Sequence, residues 1–237
     1  MLKTVLVAGG NGAIGQAWVR HFLGRSDVGS VIATWHSRAP VLRDSRLIWV
    51  QVDLTDEASV ARLAEGITTL DSVICAAGFL HDSECQPEKS IRDCTTKKLM
   101  KNIQLNTLPA ILLAQNLRKA LRHGRPAHFA AISAKVGSIE DNRLGGWYSY
   151  RASKAALNMF LKTLALEWRR SLPQVCVSSL HPGTVQSGLS APFASRVLPE
   201  KLFTPDYSVA CMASVLERLG PEDSGGYWSW NGELLPW

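Results

Sequence analysis

Ala8-Gly9-Gly10-Asn11-Gly12-Ala13-Ile14-Gly15 follows a short apolar run, Val5–Ala8, and opens an amphipathic one. Its glycines at 10, 12 and 15 form a G-x-G-x-x-G pattern, and those at 9, 12 and 15 form G-x-x-G-x-x-G. Bare glycine spacing is common. A strand before it and a helix after it are the context in which it binds a pyrophosphate. The glycines permit a tight turn and close backbone approach, and the helix N-terminus supplies the favourable partial charge. Ile14, Trp18, Val19 and Phe22 mark the apolar side of Ala13–Leu23, which provides that helix. Gly9, Asn11, Gly12, Ala13, Ile14 and Gly15 therefore read as a phosphate cradle.

Outward from the turn, apolar runs recur at Val31–Trp35, Leu47–Val52, Ser72–Ala76, His128–Ser133, Val175–Leu180 and Tyr227–Trp230. Most are apolar at consecutive positions, as strands buried on both faces are. Ala58–Glu65, Leu99–His123, Tyr150–Arg170 and Tyr207–Leu219 read as helices between them. The alternation predicts a single α/β domain over residues 1–237, a doubly wound parallel sheet with helices on both faces. Two segments fit it poorly, the mixed polar Phe79–Thr96 and the Ser-, Pro- and Ala-rich Thr184–Thr204. Long segments of this kind serve as lids or binding loops, or stay disordered.

The 237 residues, 46% hydrophobic and 19% charged, suffice for a sizeable core. The net charge of +6 is scattered and accompanied by no nucleic-acid motif. Basic charge attracts anionic cofactors equally well. The five cysteines contain no CxxC pair and match no zinc spacing, so no metal is expected. No run approaches ~18 apolar residues, and the glycine turn comes too early for a signal peptide. Neither a membrane span nor export is expected, and a cytoplasmic location is the default.

The second strand ends Ala33-Thr34-Trp35-His36-Ser37-Arg38. An acidic side chain there would accept from an adenosine ribose and repel a 2′-phosphate. None is present, whereas His36, Ser37 and Arg38 can donate to a phosphate, which favours NADP(H) over NAD(H). Asp53, before Leu54, can accept from an adenine amino group or cap the next helix, with Thr55 and Asp56 competing for the cap.

Further on, Gly145-Gly146-Trp147-Tyr148-Ser149-Tyr150-Arg151-Ala152-Ser153-Lys154 holds Tyr150 and Lys154 four residues apart, on one face of a helix. A lysine cation beside a phenol favours phenolate, lowering a reference pKa of about 10. A phenol so placed can serve as general acid towards a carbonyl oxygen. Tyr148 has only Ala152 one turn on, so Tyr150 is the candidate. The spacing alone also fits an ordinary surface pair.

These motifs, with Ala77-Gly78 after the fourth strand, Asn106, a serine in the fifth and His181-Pro182-Gly183, occur in one order. That order resembles the short-chain dehydrogenase/reductase family over nearly the whole chain. The run Gly137-Ser138-Ile139 and then Gly145–Tyr150 is most similar to its C-factor/sniffer-like carbonyl reductase branch. The resemblance implies a single-domain Rossmann fold with a seven-stranded sheet and an Asn-Ser-Tyr-Lys site. Tyr150 would give or take the proton, and Lys154 would lower its pKa and hold the nicotinamide ribose. Asn106 would retain a proton-relaying water, and a serine would polarise the substrate carbonyl. Asn106 lies three residues before Pro109, whose missing N–H disturbs the preceding helical turn.

Ile132-Ser133-Ala134-Lys135-Val136-Gly137 aligns with the family's Ser-Ser pair, but its second position is Ala134. The hydroxyl then comes from Ser133 at the strand end or from Ser138 in the loop, with Ser133 favoured. Cys75-Ala76-Ala77-Gly78 stands where Asn-Asn-Ala-Gly is usual, with Ala76, Ala77 and Gly78 against the cofactor. Pro182, Gly183, Val185 and Ser187 would lie beside the nicotinamide, Val185 bonding its carboxamide through the backbone. Residues 184–204 become a substrate lid, with Ala191, Pro192, Phe193, Val197 and Leu198 as an apolar pocket. His181 reads as a strand-end structural residue rather than a base.

The implied activity is an NADP(H)-dependent oxidoreductase acting on an apolar carbonyl or secondary alcohol. The implied assembly is a homodimer or homotetramer through the helices Leu99–His123 and Tyr150–Arg170. The alternative from another class is a dinucleotide-binding regulatory or cell-signalling protein with vestigial or secondary catalysis. Ala134 and Cys75 are the departures that fit it.

Overall fold

In a computed structural model that describes residues 1–237, the side chain of Arg196 excepted, β1 (Lys3–Ala8) buries Val5, Leu6, Val7 and Ala8. Successive side chains point to opposite faces, so both faces of this strand are covered. The chain continues through α1 (Ala13–Leu23), β2 (Val28–Trp35), β3 (Leu47–Gln51), α2 (Glu57–Glu65) and β4 (Ser72–Cys75). Then come α3 (Thr96–Asn106), α4 (Leu108–Leu117), β5 (Ala127–Ile132), α5 (Tyr148–Ser171) and β6 (Val175–His181). The last elements are β7 (Thr184–Val185), β8 (Leu202–Phe203), α6 (Pro205–Leu216) and β9 (Gly226–Ser229).

The main sheet has seven strands in the order β3-β2-β1-β4-β5-β6-β9, and every neighbouring pair is parallel. One core layer packs Val60 of α2, Leu113 and Leu117 of α4, and Leu161 and Trp168 of α5 on one face. The other packs Trp18 and Phe22 of α1 with Val209 and Met212 of α6 on the opposite face. This is the doubly wound architecture that the alternation predicts. The strand order reverses between β1 and β4, which opens a crevice beyond their carboxyl ends, where doubly wound sheets take their ligands.

The helical run read over Leu99–His123 is divided. α3 stops at Asn106, α4 starts at Leu108, and helix ends at Leu117. Pro109 has no N–H to return to the preceding turn, and Thr107 takes up the break at φ −111° and ψ −50°. Within the segment read as a lid, β7 and β8 form a small parallel ladder, Thr184 beside Leu202 and Val185 beside Phe203.

Candidate active site

Along α5, Tyr150, Lys154, Leu157, Leu161, Leu164 and Trp168 recur every three or four residues and all face inward. The stripe that packs the helix therefore carries a phenol and an ammonium into the interior, 7% and 3% exposed. The start of the helix is fixed from outside it. Gly145, Gly146 and Trp147 have φ of 64°, 64° and 52°, and Trp147 is the one non-glycine residue among the described residues in the left-handed region. Glu88, from the poorly patterned segment before α3, holds this turn. Its backbone carbonyl accepts the Trp147 N–H at 2.6 Å, and its carboxylate accepts the Ser149 N–H at 3.2 Å and the Ser149 hydroxyl. A buried carboxylate at a helix N-terminus is favourably placed against the helix dipole.

Lys154 Nζ donates to the Ile132 carbonyl at 2.9 Å and lies 5.9 Å from the Tyr150 ring centroid. Burial pushes the Tyr150 phenol above its ordinary value and pulls the Lys154 ammonium down to about 8. The expected lowering of the phenol by the lysine is thus absent in the free chain, where burial sets the shift. Tyr150 is a protonated phenol at neutral pH, the form that can give a proton.

Asn106, 2% exposed, clamps the backbone of Phe79: Oδ1 accepts its N–H at 2.7 Å, and Nδ2 donates to its carbonyl at 2.9 Å. Nδ2 also donates to Ser153 Oγ at 2.9 Å, which ties the end of α3 to α5. Both candidate serines are buried with their hydroxyls engaged. Ser133 Oγ donates to Asn158 Oδ1 at 2.7 Å, a group that also accepts from Ser179 Oγ at 2.8 Å. Ser138 Oγ donates to the Trp237 carbonyl at 3.2 Å and accepts the Asp141 N–H at 3.0 Å.

At the other end, the cradle fits a dinucleotide on its own geometry. Gly12 begins α1 with no side-chain cap, and the first turn contains no acidic residue. A Cβ at Gly12 would meet only the Gly9 carbonyl oxygen, at 3.5 Å, so the N-terminal N–H groups open onto free space that phosphate oxygens can occupy. Gly9 and Gly15 instead serve the turn itself. A Cβ at Gly9 would stand 2.9 Å from Ala77 N, and one at Gly15 would overlap the Gly9 carbonyl. Asn11 Nδ2 donates to the Arg38 carbonyl at 2.6 Å, joining the cradle to the loop after β2. His36 Nε2 lies 3.9 Å from Asp53 Oδ2, and both side chains are largely open to solvent. The Thr55 hydroxyl and N–H both donate to Asp53 and hold its carboxyl below the ordinary range. The cap of α2 goes to Asp56, which accepts the Ser59 N–H at 3.0 Å.

One cavity of about 640 Å³ joins the two ends. Gly12, Ala13 and Ile14 line it on the cradle side and Ala76, Ala77 and Gly78 on its floor. Ser133, Tyr150, Lys154, Pro182, Gly183, Val185 and Ser187 line it as well. Gly9, Asn11, Gly15, His36, Arg38, Asp53, Leu54 and Asn106 are not part of its wall. Of the apolar residues expected from the lid, Phe193 and Val197 line the cavity; Ala191, Pro192 and Leu198 do not. Trp147, Leu80, Val136, Leu189 and His181 line it too, none of them expected there from the sequence. Trp147 packs on Phe193 at 4.9 Å between ring centroids and edge-on to Tyr150 at 6.1 Å. The only local signal for Trp147 is the glycine pair before it, which allows the left-handed entry into α5. A second cavity, of about 470 Å³, lies at the opposite ends of the strands around Trp18, Arg25 and Arg125, away from the crevice.

Comparison with known proteins bears on this arrangement. The family model described as short chain dehydrogenase matches residues 3–197. The chain is 30% identical over 242 residues to 1-hydroxy-2-glutathionyl-2-methyl-3-butene dehydrogenase of Rhodococcus sp. (strain AD45), covering 100% of both chains. It is 31% identical over 149 residues to C-signal of Myxococcus xanthus, across 62% of this chain and 84% of that one. Among solved structures, NADPH-bound carbonyl reductase from chicken fatty liver is 28% identical, with a TM-score of 0.86 over 100% of this chain and 94% of the other. Carbonyl reductase Sniffer of D. melanogaster, 22% identical with a TM-score of 0.84 over the whole of both chains, shares the fold.

Proposed function

The chain belongs to the short-chain dehydrogenase family, and on that premise we propose that it is an NADP(H)-dependent carbonyl reductase with Tyr150 as proton donor. It is an oxidoreductase that uses a nicotinamide cofactor on a small molecule. One observation supports the Tyr150 assignment most: a single cavity runs from the free N-terminus of α1 to the buried Tyr150–Lys154 pair. When bound, NADPH supplies the hydride that reduces a carbonyl carbon.

The chain's own residues do the rest. The α1 N-terminus would take the pyrophosphate, and Arg38 and His36 would hold the 2′-phosphate of the adenosine. Lys154, fixed on the Ile132 carbonyl, holds the nicotinamide ribose hydroxyls. Tyr150 gives its phenolic proton to the carbonyl oxygen and regains one from water. Asn106 acts through structure, tying the Phe79 backbone and α5 to the end of α3. Residues 184–204 form the substrate lid, and Trp147, Phe193 and Val197 give the pocket an apolar wall. Leu99 and Met100 on α3 and Met159 and Leu166 on α5 are exposed, and they supply the apolar face through which a homodimer would form. The free thiols of all five cysteines fit a reducing cytoplasm.

A second reading, a nucleotide-dependent regulatory protein, is favoured by the engagement of both candidate serine hydroxyls. A fluorescence titration with NADPH and NADH, followed by turnover on aldehydes, ketones and a glutathione-conjugated alcohol, separates the readings. The reductase reading expects NADPH to bind about tenfold more tightly, the worth of one charge-assisted hydrogen bond. It expects Arg38→Ala to close that gap. Equal or tighter NADH binding would overturn the phosphate assignment, and cofactor binding without turnover on any compound would favour the regulatory protein.

A further inference from the structure

The Tyr150 mechanism needs a second donor that holds the carbonyl oxygen as negative charge develops on it. The hydroxyls read from the sequence do not provide it. Ser133 is spent on Asn158, and Ser138 bonds the Trp237 carbonyl. Of the other polar groups on the cavity wall, Ser187 and Ser190 are bonded to one another, Lys135 Nζ lies 3.4 Å from Asp141, and the Thr184 hydroxyl, without a partner in the described residues, is held in no one direction.

His181 differs. It ends β6 beside the end of β5, where Ser133 N donates to the Leu180 carbonyl at 2.7 Å. The Lys135 N–H donates to His181 Nδ1 at 3.2 Å. Nδ1 must therefore be unprotonated, and the neutral ring carries its proton on Nε2. Nε2 makes no hydrogen bond within the described residues, yet it is not sealed in as the indole nitrogens of Trp18 and Trp228 are. The ring lines the same cavity as Tyr150. Residues 132–135 run between the two, tied to Lys154 at the Ile132 carbonyl and to His181 at the Lys135 N–H. In that stretch Ala134 offers only a methyl group.

We infer that His181 is a further catalytic residue: its Nε2–H is the donor that polarises the substrate carbonyl opposite Tyr150. The inference rests on the reductase reading. In the step, the carbonyl carbon gains the hydride from NADPH, which leaves as NADP⁺, and the oxygen gains the proton of Tyr150. His181 keeps its own proton throughout and makes or breaks no covalent bond. Burial, aided by Lys135 and opposed by Asp141, brings the imidazole down to about 4, so the ring stays a neutral donor across the working range.

The test compares wild type with His181→Ala, His181→Gln, His181→Ala/Ala134→Ser and Tyr150→Phe, reading kcat, KM and NADPH affinity. His181→Ala lowers kcat about 100-fold, the typical cost of one lost oxyanion donor, with NADPH affinity within threefold of wild type. His181→Gln keeps an N–H and most of kcat, and the added Ala134→Ser hydroxyl returns at least about tenfold. Nitrogen-15 NMR of the free protein at pH 7 shows the Nε2–H tautomer. An unchanged kcat in His181→Ala would overturn the inference and pass the role to Thr184, whose cavity-lining hydroxyl also has no partner in the described residues. So would an Nδ1–H tautomer, or a fall in kcat matched by lost NADPH binding in both His181 variants and unrelieved by Ala134→Ser. If Tyr150→Phe keeps full turnover, the reductase mechanism itself fails. If Tyr150→Phe is inactive while His181→Ala is not, only the inference fails.

Discussion

The two ends of the cavity are built on different principles. The cradle is backbone: glycines at 9, 12 and 15 close a turn and leave helix N–H groups open, and no side chain caps them. The wall around Tyr150 is side chains brought from four separate places: Tyr150 on α5, Ser133 after β5, His181 at the end of β6 and Phe193 in the residues between β7 and β8. A backbone site is specified by the spacing of residues that lack side chains, so its failures are steric. A side-chain site is specified by contacts distant in sequence, so its failures are graded and chemical.

The sharpest break on the cradle side is Gly15→Ala. Its methyl would overlap the Gly9 carbonyl, and the neighbouring atoms are backbone that cannot swing aside. NADPH affinity is expected to fall about 100-fold, the equivalent of ~3 kcal/mol of overpacking. Retained affinity in the same titration would mean that the turn is looser than its glycines imply. On the wall side, Glu88→Gln removes the carboxylate that receives Ser149 at the start of α5. Calorimetry should find Tm lower by about 3–6 °C, from ~1–2 kcal/mol of capping and dipole interaction. An unchanged Tm would show that the glycine turn alone sets the helix start.

The smallest effect separates the ends by pH. His181 has its folded pKa lowered to about 4, below its unfolded value. Between the two values the unfolded chain binds a proton that the folded chain refuses, so stability is lost as pH falls from about 6.5 towards 4. Burial lowers His21 and His128 as well, and they add to the slope in the same direction. His181→Gln should shallow that slope in denaturant titrations between pH 7 and 4, and an unchanged slope would show that His181 charges freely in the fold.

The same contrast explains what was legible in the sequence. Consecutive apolar residues at 5–8 and 31–35 announced buried parallel strands, and the glycine turn announced the crevice between β1 and β4. Tyr150 and Lys154 were legible because their spacing coincides with the packing stripe of α5. Other features were not. The phenol's protonation depends on how much protein surrounds it, which a four-residue spacing does not reveal. The fate of the Ser133 hydroxyl depends on Asn158, 25 residues on and across the layer. The division of α3 from α4 follows from Pro109, but the stop at Leu117 has no comparable breaker. His181 was visible as a residue and unreadable as a donor, because its tautomer is set by the Lys135 N–H, 46 positions away.

Tyr150 is the residue on which the proposed reduction most directly depends. In one preparation of Tyr150→Phe, NADPH affinity and single-turnover reduction of a carbonyl substrate can be read together. Affinity is expected to stay within threefold of wild type, because the cradle is untouched, and the turnover rate to fall by about a thousandfold, within the range of a lost general acid. Full turnover with the phenol removed would contradict that expectation.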